Sequence, residues 1–414
     1  MAPSQMRHLY FLTVLFLLLF SFAFSQTVID QRNQTIDERI VLESIARRWK
    51  IQIRDSPRSP CELSNEENPW FGCGCQNTWC KIEVLNVSGM NITGGIPLEL
   101  FELRSLKILN LSHNILNGSI PREVANLKSL THLILEANNL SGHIPPEIGN
   151  LTELQYLSLS ANRFSGDLPR ELGKLAVLEE LYIDSNELTG TLPLEPNMTK
   201  LTTLWAFDNN FTGPLPEVIG NFVSLLDLRI FGTSFKGPIP SNFSALENLR
   251  ILRLGELENG DSSLLFLRNI TKLSFLSLRN CQIVGPIPVF FEHFTNLTFL
   301  DMSFNKLNDT VPVFLKNLTS LRHMFLGNNN LTGNFPLQII TENLTTLNPI
   351  GTSMDMKDTS ESSDSFEYII LPKSEFLHKQ YFSLYVVIYH VYLCMSKHLL
   401  PYQYSCVELQ FVFI

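Results

Sequence analysis

The chain is short of positive charge: 31 Lys and Arg stand against 40 Asp and Glu in 414 residues, a formal charge of −9 with histidine neutral. That balance excludes a nucleic-acid partner, because backbone phosphates call for clusters of Lys and Arg that this sequence lacks. Catalytic patterns are missing too. There is no His-Glu-x-x-His and no Gly-x-Ser-x-Gly, and the histidines at 113, 132, 143, 293 and 323 are scattered without a shared partner. No catalytic residue, metal site or cofactor is therefore expected. Long apolar runs are also scarce: residues 9–20 are too few for a full span, and residues 381–395 carry four tyrosines, which makes a poor one.

What stands at the N-terminus reads as an export signal. Arg7 and His8 precede the apolar run, and Ala23-Phe24-Ser25 supplies a small-x-small cleavage site, so residues 1–25 are expected to be a signal peptide. Export leads to an oxidising compartment, where four of the seven cysteines, Cys61, Cys73, Cys75 and Cys80, are expected to form disulfides. Three pairings are open and the spacing does not choose among them. Asn-x-Ser/Thr sequons recur, and Asn33, Asn86, Asn197, Asn242, Asn269, Asn296 and Asn317 are glycosylation candidates. The secretory pathway, ending outside the cell or on the outer face of the plasma membrane, is the expected location.

The middle of the chain is periodic. Pro97, Pro121, Pro145, Pro169, Pro193, Pro216, Pro240, Pro288, Pro312 and Pro336 mark units of about 24 residues, eleven in all, one of which has lost its Pro. A period in this range means a stacked solenoid in which each unit buries its apolar edge against its neighbours. The unit reads Leu-x-x-Leu-x-x-Leu-x-Leu-x-x-Asn-x-Leu-x-Gly-x-Ile-Pro, shown cleanly by Leu130, Leu133, Leu135, Asn138, Leu140, Gly142, Ile144 and Pro145. Leu-x-Leu alternates as a short strand does, sending Leu inward and the intervening residues outward. The Asn follows the strand, where its amide can satisfy backbone groups of the neighbouring coil. Asn114, Asn138, Asn162, Asn186, Asn209, Asn305 and Asn329 are the expected ladder, and Gly and Pro serve the next bend.

These units resemble the plant-specific subtype of leucine-rich repeats. The fold this implies is an α/β leucine-rich-repeat right-handed solenoid, a curved horseshoe of about eleven repeats behind a cysteine-bearing N-terminal cap. The expected organisation is a cap over 26–80, with Ile36, Ile40, Ile45 and Trp49 on one helix face, a solenoid over 81–348, and a linker and non-family tail over 349–414. The degenerate stretch Leu252-Arg253-Leu254-Gly255-Glu256-Leu257, with Asn269-Ile270-Thr271 and Leu278-Arg279-Asn280-Cys281 after it, is similar to leucine-rich-repeat receptor-like Ser/Thr kinases that carry a malectin-like domain. The chain itself has no kinase Gly-rich loop, no Val-Ala-x-Lys strand, no His-Arg-Asp and no Asp-Phe-Gly, so it reads as such an ectodomain truncated before its membrane helix and kinase.

A binding role follows from register. Outward strand positions on the concave face collect Tyr182, Trp205, Phe207, Asp227, Arg229, Phe231, Arg253, Phe275 and Arg279, with Phe299 and Phe325 continuing the face. Exposed aromatics and Arg are the residue types that carry hot spots, and the guanidiniums can hold a carboxylate or sulfate. The bland alternative is that the rings stack to stabilise the sheet while the Arg side chains pair with Asp227 and Glu180. His132 and His323 share the face and suit a pH-sensitive contact. The resemblance implies an extracellular peptide or protein ligand, a co-receptor kinase, and membrane association through the missing part. The alternative is a secreted inhibitor of a pathogen cell-wall hydrolase, similar to polygalacturonase-inhibiting proteins; the distance of Cys394 and Cys406 from the last unit disfavours it.

Overall fold

A computed structural model describes residues 38–52, 61, 70–76, 79–341 and 343–355. The signal peptide, Asn33, Ile36, Cys394, Cys406 and the sequence beyond residue 355 lie outside the described residues. Among those described, no helix is long and apolar enough to cross a membrane.

The helix α1, Glu38–Trp49, opens with the acid Glu38 and closes with Arg47 and Arg48, each complementing the helix dipole at its end. It buries Val41, Leu42, Ile45, Ala46 and Trp49, whereas Ile40 is 58% exposed. The sequence expectation for Ile40 therefore fails. Five residues separate it from Ile45, which at 3.6 per turn puts the two on opposite sides of the helix. The Glu38 carboxylate accepts the Ile82 N–H at 2.9 Å, and Trp49 Nε1 donates to the Gly95 carbonyl at 3.3 Å, tying α1 onto the first coil.

Beside it, Phe71–Gln76 runs antiparallel to Trp79–Asn86. Cys75 faces Cys80 across this hairpin and is bonded to it, and Cys61 bonds Cys73. The pairing left open by the sequence is settled by hairpin register. The cap covers an otherwise open sheet edge.

From Trp79–Asn86 onward, strands join one after another in chain order to Thr346–Asn348, completing a 13-stranded sheet that is parallel after its first strand. A buried central Leu recurs along the parallel strands, as at Leu133, Leu157, Leu181, Leu204 and Leu228, with Met324 in that place in His323–Phe325. Most coils return through a short 3-10 turn, not an α-helix, as in Arg122–Asn126 and Arg170–Lys174; the coil between Glu187–Gly190 and Thr203–Trp205 has none. Pro stands at the entry with φ near its ring-imposed value, −65° at Pro121 and −66° at Pro169, and donates nothing there. Where Pro is lost, Ser263 takes over, its hydroxyl accepting the Leu265 N–H at 3.3 Å. The coils pack closely here: a Cβ on Gly149 would lie 2.3 Å from the Glu171 carbonyl oxygen.

One feature was not expected from the sequence. The Leu-x-Gly segments, read there as a bend, pair as a second parallel sheet of seven strands from Thr93–Gly94 to Ser234–Lys236. Single buried residues such as Leu116, Leu140 and Phe164 anchor its strands, except in Thr93–Gly94, which the buried Ile92 precedes.

The ladder Asn side chains knit coil to coil. Asn162 Oδ1 accepts the Leu140 N–H at 3.1 Å, while Nδ2 donates to the Leu135 carbonyl of the preceding coil at 3.0 Å and to its own coil's Leu159 at 3.1 Å. Asn114, Asn138, Asn186, Asn305 and Asn329 repeat the pattern, and Asn209 keeps the inter-coil contacts to Leu188 and Ile183. Three successive units, with Thr233, Leu257 and Cys281 in that position, break it. There the strands lengthen from three residues to four or five, Asp227–Ile230, Ile251–Gly255 and Phe275–Arg279. Elsewhere the Asn amide draws its own coil's carbonyls into a turn directly after the strand. Without it, Leu254 pairs with Leu278 and Gly255 with Arg279.

Candidate functional site: the outward face of the long sheet

Parallel register aligns the outward residues into columns. His132, Tyr156, Glu180, Thr203, Asp227 and Ile251 follow one another in the first, and Ser158, Tyr182, Trp205, Arg229 and Arg253 in the third. Phe207, Phe231 and Arg279 lie two positions further along the chain, the first two just past the ends of Thr203–Trp205 and Asp227–Ile230. All nine residues singled out from the sequence are half-buried on this face, held there because the flanking Leu residues fill the core.

Their rings form a continuous line. His132 stacks on Tyr156 at 5.7 Å, Tyr156 meets Tyr182 at 5.3 Å, and Tyr182 meets Trp205 edge-on at 4.9 Å. Trp205 leads to Phe207 at 5.9 Å, and Phe207 stacks on Phe231 at 4.6 Å. Guanidiniums complete it: Arg229 lies 4.1 Å over Trp205 and Arg253 3.7 Å over Phe231. A second run holds Phe275 against Phe299 at 4.2 Å, with Phe325 at 5.5 Å and His323 at 5.9 Å from Phe299, while Arg279 covers Phe304 at 4.0 Å. Each such contact contributes about 0.5–1.5 kcal/mol, so the band is stiffened before anything binds.

Charge is distributed unevenly along it. Tyr182 donates its hydroxyl to Glu180, and burial followed by that hydrogen bond raises the phenol above the ordinary tyrosine range. Burial, with the charges of Glu136 and Glu180 behind it, pushes Tyr156 up to about 12. Asp184 is buried and raised to about 6; desolvation outweighs the Ser160 hydroxyl that donates to it at 2.5 Å. Burial likewise raises Asp301, against the pull of Ser303, Arg279 and Arg253. Arg279 donates to the Ser303 hydroxyl at 3.1 Å. Desolvation lowers His323, with Arg322 adding to it.

The expected sets of contacts are partly rearranged. Arg229 pairs with Asp227, whereas Glu180 is engaged by Tyr182. Tyr156, Glu136 and Asp301 went unnamed as site residues, and their signal was the same 24-residue register that identified Tyr182. Ser112 and Ser158, small polar residues at outward positions of the repeat, are buried. Glu136 accepts the Ser158 hydroxyl at 2.6 Å. Of the glycosylation candidates, Asn86, Asn197, Asn242, Asn269, Asn296 and Asn317 are all exposed, and only Asn86 stands on a strand of this sheet. Among the described residues no His, Cys, Asp and Glu group is arranged to hold a metal ion.

Comparison with known proteins agrees with the geometry. The leucine-rich repeat region family matches residues 135–253, a leucine rich repeat family matches 80–140, and single leucine rich repeats match 272–294 and 296–318. No curated protein matches the sequence. Among solved structures, that of PEPR1-AtPEP1 is 29% identical with a TM-score of 0.62 over 76% of this chain and 48% of that one. The plant peptide hormone receptor RGFR1 in complex with RGF2 is 29% identical, TM-score 0.56, over 64% and 46%. A TDR receptor is 29% identical, TM-score 0.56, over 65% and 51%. The chain thus spans about half the length of these solved chains. Its fold is a leucine-rich-repeat solenoid.

Proposed function

We propose that this solenoid is the extracellular ligand-binding part of a plant receptor-like kinase, docking a peptide or protein on the outward face of its long sheet. One observation carries the reading: the unbroken line of half-buried rings and guanidiniums from His132 to Arg253. Rings already fixed by their neighbours lose little freedom when a ligand covers them, and Tyr, Trp and Arg offer large contact area. Similarity to solved plant peptide receptors supports the same reading.

In this proposal docking is followed by pairing with a co-receptor kinase, and the receptor-kinase architecture supplies membrane attachment and kinase activity. The finer placement, among receptors with a malectin-like domain, rests on the degenerate unit around Leu252 to Cys281 and its interrupted ladder. Cys61, Cys73, Cys75 and Cys80 serve the cap, and the sequons serve export and solubility.

The test uses the secreted chain and its Tyr182→Ala/Trp205→Ala variant to capture peptides from plant extracellular fluid, with retained species identified by mass spectrometry. The expected result is a set of peptides retained at least about tenfold better by the unaltered chain. Identical captures would refute the sheet face as the docking surface. Block of a fungal polygalacturonase by the purified chain would favour the inhibitor instead.

A further inference from the structure

The docking face changes sign halfway along. On the four strands bearing His132, Tyr156, Tyr182 and Trp205 and their immediate flanks, the chain places Glu136, Glu179, Glu180, Asp184 and Asp208 and no Lys or Arg. On the next three strands it places Arg229, Arg250, Arg253 and Arg279 against Asp227 and Glu256. The same strand-edge position is Glu179 in the first group and Arg250 in the second. Desolvation sharpens the contrast, because charges on a half-buried aromatic surface are screened less than those in open water. The carboxylates of Glu136 and Glu180 act together on Tyr156, while Arg253 and Arg279 act together on Asp301.

Resting on the ligand-binding reading above, we infer that the face selects an extended peptide of ordered charge, with its cationic part over the Tyr156 to Asp208 coils and its anionic part over the Arg229 to Arg279 coils. Charge complementarity commits the occupant. The wall of the first half carries Tyr156 and Tyr182, whose rings attract ammonium and guanidinium groups beside the carboxylates, while Trp205 is covered by Arg229. Arg229 is already forked onto Asp227, and the second half adds the guanidiniums of Arg250, Arg253 and Arg279, suited to carboxylates. Six strand steps separate His132–Ile134 from Phe275–Arg279. At about 4.8 Å per step that is about 29 Å, or about nine residues of extended chain. Reversed charge order would set like charges together at both ends, so order, more than composition, is what the face reads.

Two synthetic nonapeptides of identical composition provide the probe. One has two Lys at one end and two Asp at the other, separated by Tyr, Ser and Gly; its isomer alternates Lys with Asp. Each is measured against the full secreted chain by calorimetry at about 0.1 M and about 0.5 M salt, where the screening length is about 10 Å and about 4 Å respectively. The segregated peptide is expected to bind about tenfold tighter at low salt, with the preference shrinking at high salt. A photo-crosslinker beside its Lys pair should label the Tyr156 to Asp208 coils. The double variant Glu180→Lys/Arg253→Glu, checked for native circular dichroism, should erase the preference. Equal binding of the isomers, binding of neither, or crosslinks from the Lys end to the Arg253 and Arg279 coils would overturn the inference. Capture that depends on Tyr182 and Trp205, seen together with any of those results, would leave the ligand-binding reading standing while the charge order falls.

Discussion

Arg229 donates Nε and Nη2 to the two carboxylate oxygens of Asp227, at 2.9 and 2.8 Å, and lays the same guanidinium over Trp205. The two side chains project from one strand, two residues apart, and are largely shielded from solvent. A two-bond fork fixes the plane of the guanidinium as well as its position, so Asp227 holds Trp205 in place through Arg229.

Replacing Asp227 by Ala should therefore disturb a ring it is not paired with. The expected cost is about 1–2 kcal/mol in urea denaturation, with a coupling of about 1 kcal/mol in the Asp227→Ala/Arg229→Ala cycle. A coupling indistinguishable from zero would mean that the fork contributes nothing.

Asn162→Ala removes an acceptor for Leu140 N–H and donors for the Leu135 and Leu159 carbonyls, all buried. A loss of about 2–3 kcal/mol is expected, since orphaned backbone groups pay their full desolvation. At the break in the ladder the opposite change should help. The Thr233 hydroxyl is buried with no partner, and Thr233→Asn is expected to raise stability by about 1 kcal/mol. Destabilisation by Thr233→Asn would show that the longer strands there are incompatible with a ladder amide.

Asp184 carries a pH signature. Its folded value of about 6 lies above the ordinary 3.8, so between those values the folded chain holds a proton that the unfolded chain has released. Stability then falls as pH rises through that window, by at most about 3 kcal/mol. Asp184→Asn should be more stable than the parent at pH 7, by about 1–2 kcal/mol, with the difference gone below about pH 4. An equal gain at both pH values would assign the effect to something other than ionisation.

Reduction of Cys61–Cys73 and Cys75–Cys80 should loosen the cap while the central coils persist. Loops of this size are worth about 2–3 kcal/mol when closed. Trp49 and Trp70, both buried in the cap region, should shift their fluorescence to longer wavelength, and hydrogen exchange should rise over α1 before it rises around Leu204. Uniform loss of protection would mean that cap and solenoid unfold as one unit.

Much of the architecture is set by local pattern. A 24-residue period, a Leu-x-Leu strand and an Asn after it determine stacking, the buried row from Leu133 through Leu228, and which residues look outward, because strand alternation is a property of a few consecutive residues. The run of Thr233, Leu257 and Cys281 was equally visible as sequence, but its consequence, strands extended to Gly255 and Arg279, needed the neighbouring coil. So did the second sheet, since Leu-x-Gly segments have too little alternation to declare a strand by themselves.

What tertiary structure alone decided is which groups satisfy one another. Ile40 or Val41 as the inward residue depended on where α1 meets the first coil, and Cys75 found Cys80 because a hairpin brought them opposite. Arg229 could have reached Glu180 or Asp227, and the rotamer that covers Trp205 selected Asp227. The sequence by itself determined the backbone's repeat and the identity of the exposed surface; side-chain partnership and charge order on that surface are properties of stacked coils, because residues 24 apart in the chain become neighbours only after folding.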